Sequence, residues 1–229
     1  MAVGTRPALA FFDVDETVIA EKSLISFWEH WKSRCPAWAA AGAARPPAEA
    51  QARDRAELNR WYYRRYAGVP LAVLEAAGRL WYDDYRGGGS AFVRPAVDAV
   101  TAHRAAGREV VLVSGSMRPL LTPLAKDLGA SAILCTELVV AAGGALTGEV
   151  QRPMIGGAKA EAATRLMRAR GADPGECFAY GDHESDLSLL RAVGKPVVVG
   201  DSPRLNDAAQ RFGWPVAPAL RGPLRAEGA

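Results

Sequence analysis

The chain has 229 residues, 49% of them hydrophobic and 23% charged, enough for one large domain or a domain carrying an insertion around a buried core. Its 28 Lys and Arg exceed its 25 Asp and Glu by three. That excess, with no stripe of lysines to follow a phosphate backbone, gives no reason to expect a nucleic-acid partner. No stretch reaches the ~18 apolar residues of a membrane span, and the N-terminus lacks the charged start and long apolar region of a signal peptide. The expected location is cytoplasmic, with no membrane partner. The three cysteines, Cys35, Cys135 and Cys177, match no zinc or redox spacing; Cys135 and Cys177 lie in apolar runs and read as buried thiols.

In chain order, "ALAFFDVD" (8–15) is a short apolar run that stops at acidic residues, as a buried strand does. Residues 20–92 carry no strand signal. They hold five of the six tryptophans and most tyrosines at helical spacing, broken by the Pro/Ala/Arg-rich "AARPPAEAQARD" (43–54), and read as a helical insertion. A helix is predicted over 94–107, a strand over 108–116, a helix over 116–129 and a strand over 131–137. Two short runs flank Gly143-Gly144 in 137–151, the pattern of a hairpin. A helix over 158–171 and strands over 177–182 and 196–201 complete the series. Gly107, Gly129 and Gly171 stand where the three helices should stop. Strands alternating with helices predict an α/β fold, a doubly wound, Rossmann-like, mostly parallel sheet. The Pro/Gly/Arg-rich tail after Pro215 reads as loose.

In such a sheet ligands bind beyond the carboxyl ends of the strands. Asp13 and Asp15 leave one strand end; Asp182 and Asp186, in "YGDHESDLSLL", leave another. Four carboxylates from two strands repel unless a cation sits among them. An all-oxygen donor set with few protein ligands suits Mg2+, which keeps waters and meets substrate phosphate. "VSGSM" (113–117) exits a strand into glycine and serines, so backbone N–H groups at Gly115 and the Ser114 hydroxyl are fit to cradle an anion. Lys159, in "MIGGAKAEA", begins a helix after two glycines, where it can steady a carboxylate and a phosphate. Arg118, just past the serine turn, is a further candidate anion contact.

The ordered set D-x-D-x-T, apolar-S-G-S, a helix-starting lysine and G-D-x-x-x-D resembles the haloacid dehalogenase (HAD) superfamily. The helical insertion and the segment 194–216 resemble its phosphoserine-phosphatase-like branch (subfamily IB). The resemblance implies a catalytic core of residues 1–19 and 93–229 with a helical cap over 20–92. It implies that Asp13 is the nucleophile and that Asp15 is the general acid and then the base. It also implies that Asp13, the backbone carbonyl of Asp15, Asp182 and Asp186 form the Mg2+ site, and that Ser114 and Lys159 bind the phosphoryl group. Thr17 is expected to hydrogen-bond within the loop and orient Asp15. Two positions depart from the pattern. Glu16 stands where the family often has Gly or Ser. Phosphoserine phosphatases carry a glutamate at the cap entrance that grips the substrate amino group; by counting, Lys22 holds that place, with Glu21 about 100° away round a helix. A lysine there suits an anionic part of a different substrate.

Other residues have plainer readings. Trp61, Tyr62 and Tyr66 are expected to pack a small helical core with Arg64 and Arg65 solvated. His183 is expected at the rim of the site, and His30 and His103 on helices. The expected activity is Mg2+-dependent hydrolysis of a small phosphorylated metabolite, by a monomer or homodimer. Transfer of the phosphoryl group to an acceptor, as in a phosphotransferase or mutase, and non-catalytic binding of a phosphometabolite are the alternatives. Dehalogenation does not call for a second aspartate such as Asp15.

Overall fold

The computed structural model describes residues 7–42 and 54–224. The break expected at 43–54 therefore lies almost wholly outside the described residues, as does the end of the tail. Six parallel strands form the central sheet: β1 (Leu9–Phe12), β3 (Glu109–Met117), β4 (Ala132–Thr136), β7 (Phe178–Gly181), β8 (Lys195–Val199) and β9 (Val216–Ala217), in the order β4-β3-β1-β7-β8-β9. Buried Val, Leu and Phe side chains suit strands covered on both faces. Alternate residues divide between the faces. Leu9, Phe11, Val111 and Val113 join one core with α7 (Gly157–Arg170), α8 (Leu187–Arg191) and α9 (Pro203–Phe212). Ala10, Phe12, Val110 and Leu112 join the other, with α5 (Arg94–Ala105) and α6 (Arg118–Leu128). Each such Val, Leu or Phe side chain, fully buried, contributes about 1.5–3 kcal/mol. The predicted helix stops hold: Gly129 and Gly171 cap α6 and α7 at φ +61° and +65°, where other residues are strained. Cys135 and Cys177 are buried free thiols.

Between β1 and the short β2 (Phe92–Val93) lie α1 (Ser23–Arg34), α2 (Pro36–Ala41), α3 (Arg55–Arg64) and α4 (Leu71–Arg86). The chain leaves and re-enters the α/β layers side by side: Ala20 N–H donates to the Ala91 carbonyl (2.9 Å) and Val93 N–H to the Val18 carbonyl (2.9 Å). The helices share an aromatic core in which Phe27 meets Trp31, Tyr66 and Trp81. Tyr62 and Tyr66 are buried and Arg64 is exposed, as expected. Arg65 is only partly solvated. Its guanidinium lies 4.5 Å from the ring centroids of both Trp28 and Trp61, because a delocalised cation stacks well on indole faces.

The insert rests on the α/β layers along two seams. At α4 against α6, a Cβ on Gly78 would sit 2.5 Å from the Pro119 carbonyl oxygen, so only glycine permits the approach. Beside it Tyr82 donates to Asp127 (3.0 Å). The second seam is the hairpin predicted around Gly143-Gly144, β5 (Leu138–Val140) and β6 (Leu146–Val150). Leu146 N–H donates to the Val69 carbonyl (2.8 Å) and Gly68 N–H to the Leu146 carbonyl (2.7 Å). The tail corrects the sequence reading. Residues 216–217 add the sixth strand to β8, and β10 (Arg221–Gly222) pairs antiparallel with β2. Two-residue strands are too short to show periodicity, but their backbone bonds still order the segment. No helix among the described residues is long and apolar enough to cross a membrane.

Candidate active site

The order of strands reverses direction of growth at β1, so the exits of β1, β3 and β7 open onto one crevice. Asp13 directly succeeds β1, and its N–H donates to the Tyr180 carbonyl (3.0 Å), tying the β1 exit to that of β7. Its side chain is almost buried, 8% exposed. Lys159, in the first turn of α7, reaches in from the flank. Its Nζ lies 2.6 Å from Asp13 Oδ1 and 2.6 Å from Asp186 Oδ1, and the residue is 4% exposed. A cation in the first turn of a helix opposes the helix dipole; the two carboxylates offset that. Gly181 makes room for Asp186, since a Cβ there would sit 2.6 Å from the Asp186 Cβ. Asp186 Oδ2 in turn accepts from His183 N–H (3.2 Å).

Asp13, Asp182 and Asp186 each offer an oxygen within 4.8 Å of the others. Burial first, then Asp13 and Asp186, push the Asp182 carboxyl up to about 8. Burial opposes the Lys159 ammonium, but Asp13 and Asp186 outweigh it and hold its pKa above the usual range. One ammonium cannot balance three clustered carboxylates, and Asp182 answers by favouring a proton. This excess of oxygen donors is what a hard divalent cation fits.

Asp15 is oriented from the insert. Ser23 N–H donates to its Oδ1 (3.1 Å), and burial, then the Asp13 charge, raise its carboxyl to about 6. The role expected for Thr17 is corrected: its hydroxyl donates to Asp182 Oδ1 (2.8 Å). The loop curls so that Val18 and Ile19 N–H both donate to the Val14 carbonyl, which turns the buried Thr17 toward the β7 exit. Glu16 sits at φ +62°, a region that favours glycine. It holds the turn against a small strain, and its carboxylate meets Lys22 at 3.4 Å.

The serine turn is held from the insert as well. Ser114 Oγ accepts from Ser116 N–H (3.0 Å). The Gly115 carbonyl accepts twice from α3: from Asn59 Nδ2 (2.8 Å) and Tyr63 OH (2.7 Å). Thr136 donates to Asn59 Oδ1 (3.3 Å), and Ser23 Oγ donates to Ser116 Oγ (2.8 Å). Sequence reading missed Asn59, Tyr63 and Ser23. The available signal was a polar Asn59 spaced three and four residues from buried Tyr62 and Tyr63.

These groups line a cavity of about 190 Å³, smaller than the roughly 300–1,000 Å³ typical for drug-sized ligands. Asp13, Asp15, Ser114, Gly115, Lys159 and Asp182 all reach it, as do His183, Lys22 and Arg55. Asp186 stands behind them, fully buried against Lys159. Arg118 is not brought there. Its guanidinium pairs with Glu137 and donates to the Ile133 carbonyl (3.4 Å), and it lines a separate groove between α4 and α6. Met117 is extended and α6 starts at Arg118, which points that side chain away from the turn.

The family model described as haloacid dehalogenase-like hydrolase matches residues 10–191. The chain is 31% identical over 223 residues to the inhibition of morphological differentiation protein of Streptomyces azureus, a match covering 90% of this chain and 76% of that one. It is 39% identical over 121 residues to a probable phosphatase of Mycobacterium tuberculosis, covering 53% of this chain and 42% of that relative. An apo phosphoserine phosphatase structure superposes with a TM-score of 0.65 over 94% of this chain and 95% of that one, at 18% identity, a likeness of fold.

Proposed function

The chain belongs to the haloacid dehalogenase-like hydrolase family; on that premise we propose that it is a phosphatase, hydrolysing a small phosphomonoester, with Mg2+, through a phosphorylated Asp13. The observation that carries this reading is the buried Asp13 carboxylate, held 2.6 Å from Lys159 and within 4.8 Å of two other acids, at the floor of a cavity walled by the Ser114–Gly115 turn.

Asp13, Asp182 and Asp186, with the backbone carbonyl of Asp15, would hold the ion, which when bound supplies positive charge to the phosphoryl oxygens. Lys159, the Ser114 hydroxyl and the Gly115 N–H bind the phosphoryl group. The free oxygen of Asp13 bonds to phosphorus while the bond to the leaving oxygen breaks, and Asp15 gives that oxygen its proton. A carboxyl raised to about 6 retains protonated population near neutral pH. Asp15 then takes a proton from water, whose oxygen bonds to phosphorus as the Asp13 bond breaks. The products are an alcohol and inorganic phosphate. We read 20–92 as a cap that excludes bulk water during these steps and the protein as cytoplasmic.

The test is hydrolysis of p-nitrophenyl phosphate by the wild-type protein with Mg2+ and with a chelator, and by Asp13→Asn. The expected result is turnover that needs the metal and vanishes in the variant, with phosphate found on the Asp13 peptide of acid-quenched wild-type protein. Undiminished turnover by Asp13→Asn would refute the assignment.

A further inference from the structure

The phosphoryl end of the cavity already has its own cation in Lys159, within 2.6 Å of two carboxylates. Two further cations, Lys22 and Arg55, line the same cavity from the insert side, one just ahead of α1 and the other at the first residue of α3. Neither is spent on a strong partner. Lys22 meets Glu16 at 3.4 Å with both side chains more than 40% exposed, a pair worth under about 1 kcal/mol and easily given up. Among the described residues, Arg55 has no carboxylate in ion-pair range. Its guanidinium contacts His183 Nδ1 at 2.5 Å, a nitrogen that also accepts from Ser185 N–H (3.0 Å) and so carries no proton of its own.

The acids of the cavity are Asp13, Asp15, Asp182 and Glu16. The first three converge on the phosphoryl end, and Glu16 is held by Lys22. On the insert side two cations, Lys22 and Arg55, therefore face a single cavity carboxylate, Glu16, and the balance there is positive. The lining also includes the apolar Leu24, Ile25, Leu58 and Ile155, which suits a short carbon chain.

We propose that the substrate is a small phosphorylated hydroxy acid: a phosphomonoester whose leaving group bears a carboxylate, received by Arg55 and Lys22, and no ammonium. This rests on the phosphatase reading and narrows its substrate class. A planar guanidinium binds a carboxylate through two parallel hydrogen bonds, and a cavity of about 190 Å³ suits a small leaving group.

The test compares kcat/KM for four phosphomonoesters of matched size: 3-phosphoglycerate (carboxylate only), phosphoserine (carboxylate and ammonium), phosphoethanolamine (ammonium only) and propyl phosphate (neither). The expected result is that 3-phosphoglycerate exceeds each of the others at least tenfold. The 3-phosphoglycerate to propyl phosphate ratio falls at least tenfold in Arg55→Gln and in Lys22→Gln. In Lys22→Glu the phosphoserine to 3-phosphoglycerate ratio rises at least tenfold. Because each reading is a ratio within one protein, partial loss of folded material cancels. Phosphoserine or phosphoethanolamine as the best substrate, or ratios unmoved in both Gln variants, would overturn the inference while leaving the phosphatase reading intact. No turnover of these esters or of p-nitrophenyl phosphate would overturn both.

Discussion

Replacing Lys159 by methionine tests the electrostatics of the site directly. The side chains are close in volume, so the change removes a charge and little packing. At an effective dielectric of about 20, a contact of 2.6 Å between unit charges has a gross Coulomb energy of about 6 kcal/mol. Most of that is offset by burying the charges, and loss of one partner from a buried ion pair costs about 3–5 kcal/mol. For a chain of this length each kcal/mol moves Tm by about 2–4 °C. Thermal melts with chelator at pH 8 should therefore place Lys159→Met roughly 6–20 °C below wild type. Two conditions should narrow the gap. Asp186, already raised by burial and then Asp13, is pushed further above its unfolded pKa without Lys159; that penalty is felt in full only above the folded value, so the gap shrinks as pH falls from 8 toward 5. Mg2+ should narrow it through tighter binding to the variant, whose acids lack the competing ammonium: well above both dissociation constants, a tenfold tighter variant gains about 1.4 kcal/mol more than wild type. Hydrolysis should drop on the order of 10²–10³-fold even with metal, as for loss of one preorganised donor to the developing charge. Equal melting temperatures at pH 8 without metal would refute the reasoning.

Three further expectations concern the surroundings. Tyr63→Phe removes one of the two donors to the Gly115 carbonyl and should lower kcat/KM for p-nitrophenyl phosphate about fivefold, the equivalent of one hydrogen bond of ~1 kcal/mol; steady-state kinetics check it, and an unchanged value would count against a role for that bond. Gly78→Ala drives a Cβ to 2.5 Å from a backbone oxygen and should cost about 1–3 kcal/mol in urea denaturation, whereas Gly89→Ala, with nothing within 4 Å, should stay within about 0.5 kcal/mol. His103 is buried with Nε2 2.9 Å from the Tyr180 hydroxyl, and burial, then Arg108, push its pKa down to about 4. Its folded pKa lies below the unfolded ~6.5, so the neutral form's contribution is intact above ~6.5 and is lost as pH falls toward 4. Melting curves of His103→Gln should show a flatter dependence across that window than wild type, by on the order of 2 kcal/mol.

The acidic strand ends were legible because a buried parallel strand announces itself as an unbroken apolar run, and residues just past such a run must stand at the sheet's carboxyl edge. Asp13 and Asp182 needed nothing more. Lys159 was legible from the two glycines before it, which mark a helix start. The groups from the insert were not. Asn59 and Tyr63 meet Gly115 across more than fifty residues of chain, and that meeting depends on how α4 docks on α6, which no local pattern encodes. Arg118 shows the opposite error: it lies close to the serine turn along the chain, but the helix that begins there carries it to Glu137. Proximity along the chain misleads for Thr17 too, since the curl at Val14 delivers it to another strand.

Ser23, Asn59 and Tyr63 all come from the insert, yet they hold the Asp15 carboxyl, the Ser116 hydroxyl and the Gly115 carbonyl, at or beside the cavity. An insert lifted far enough to admit a ligand takes these three anchors with it. The gaping form would then hold its acid unaimed and its anion cradle slack, and a water molecule arriving through the open door would find no assembled machinery to use it. Admission and reactivity would be alternatives in time, so a guest too large to let the door shut would be held without being cut.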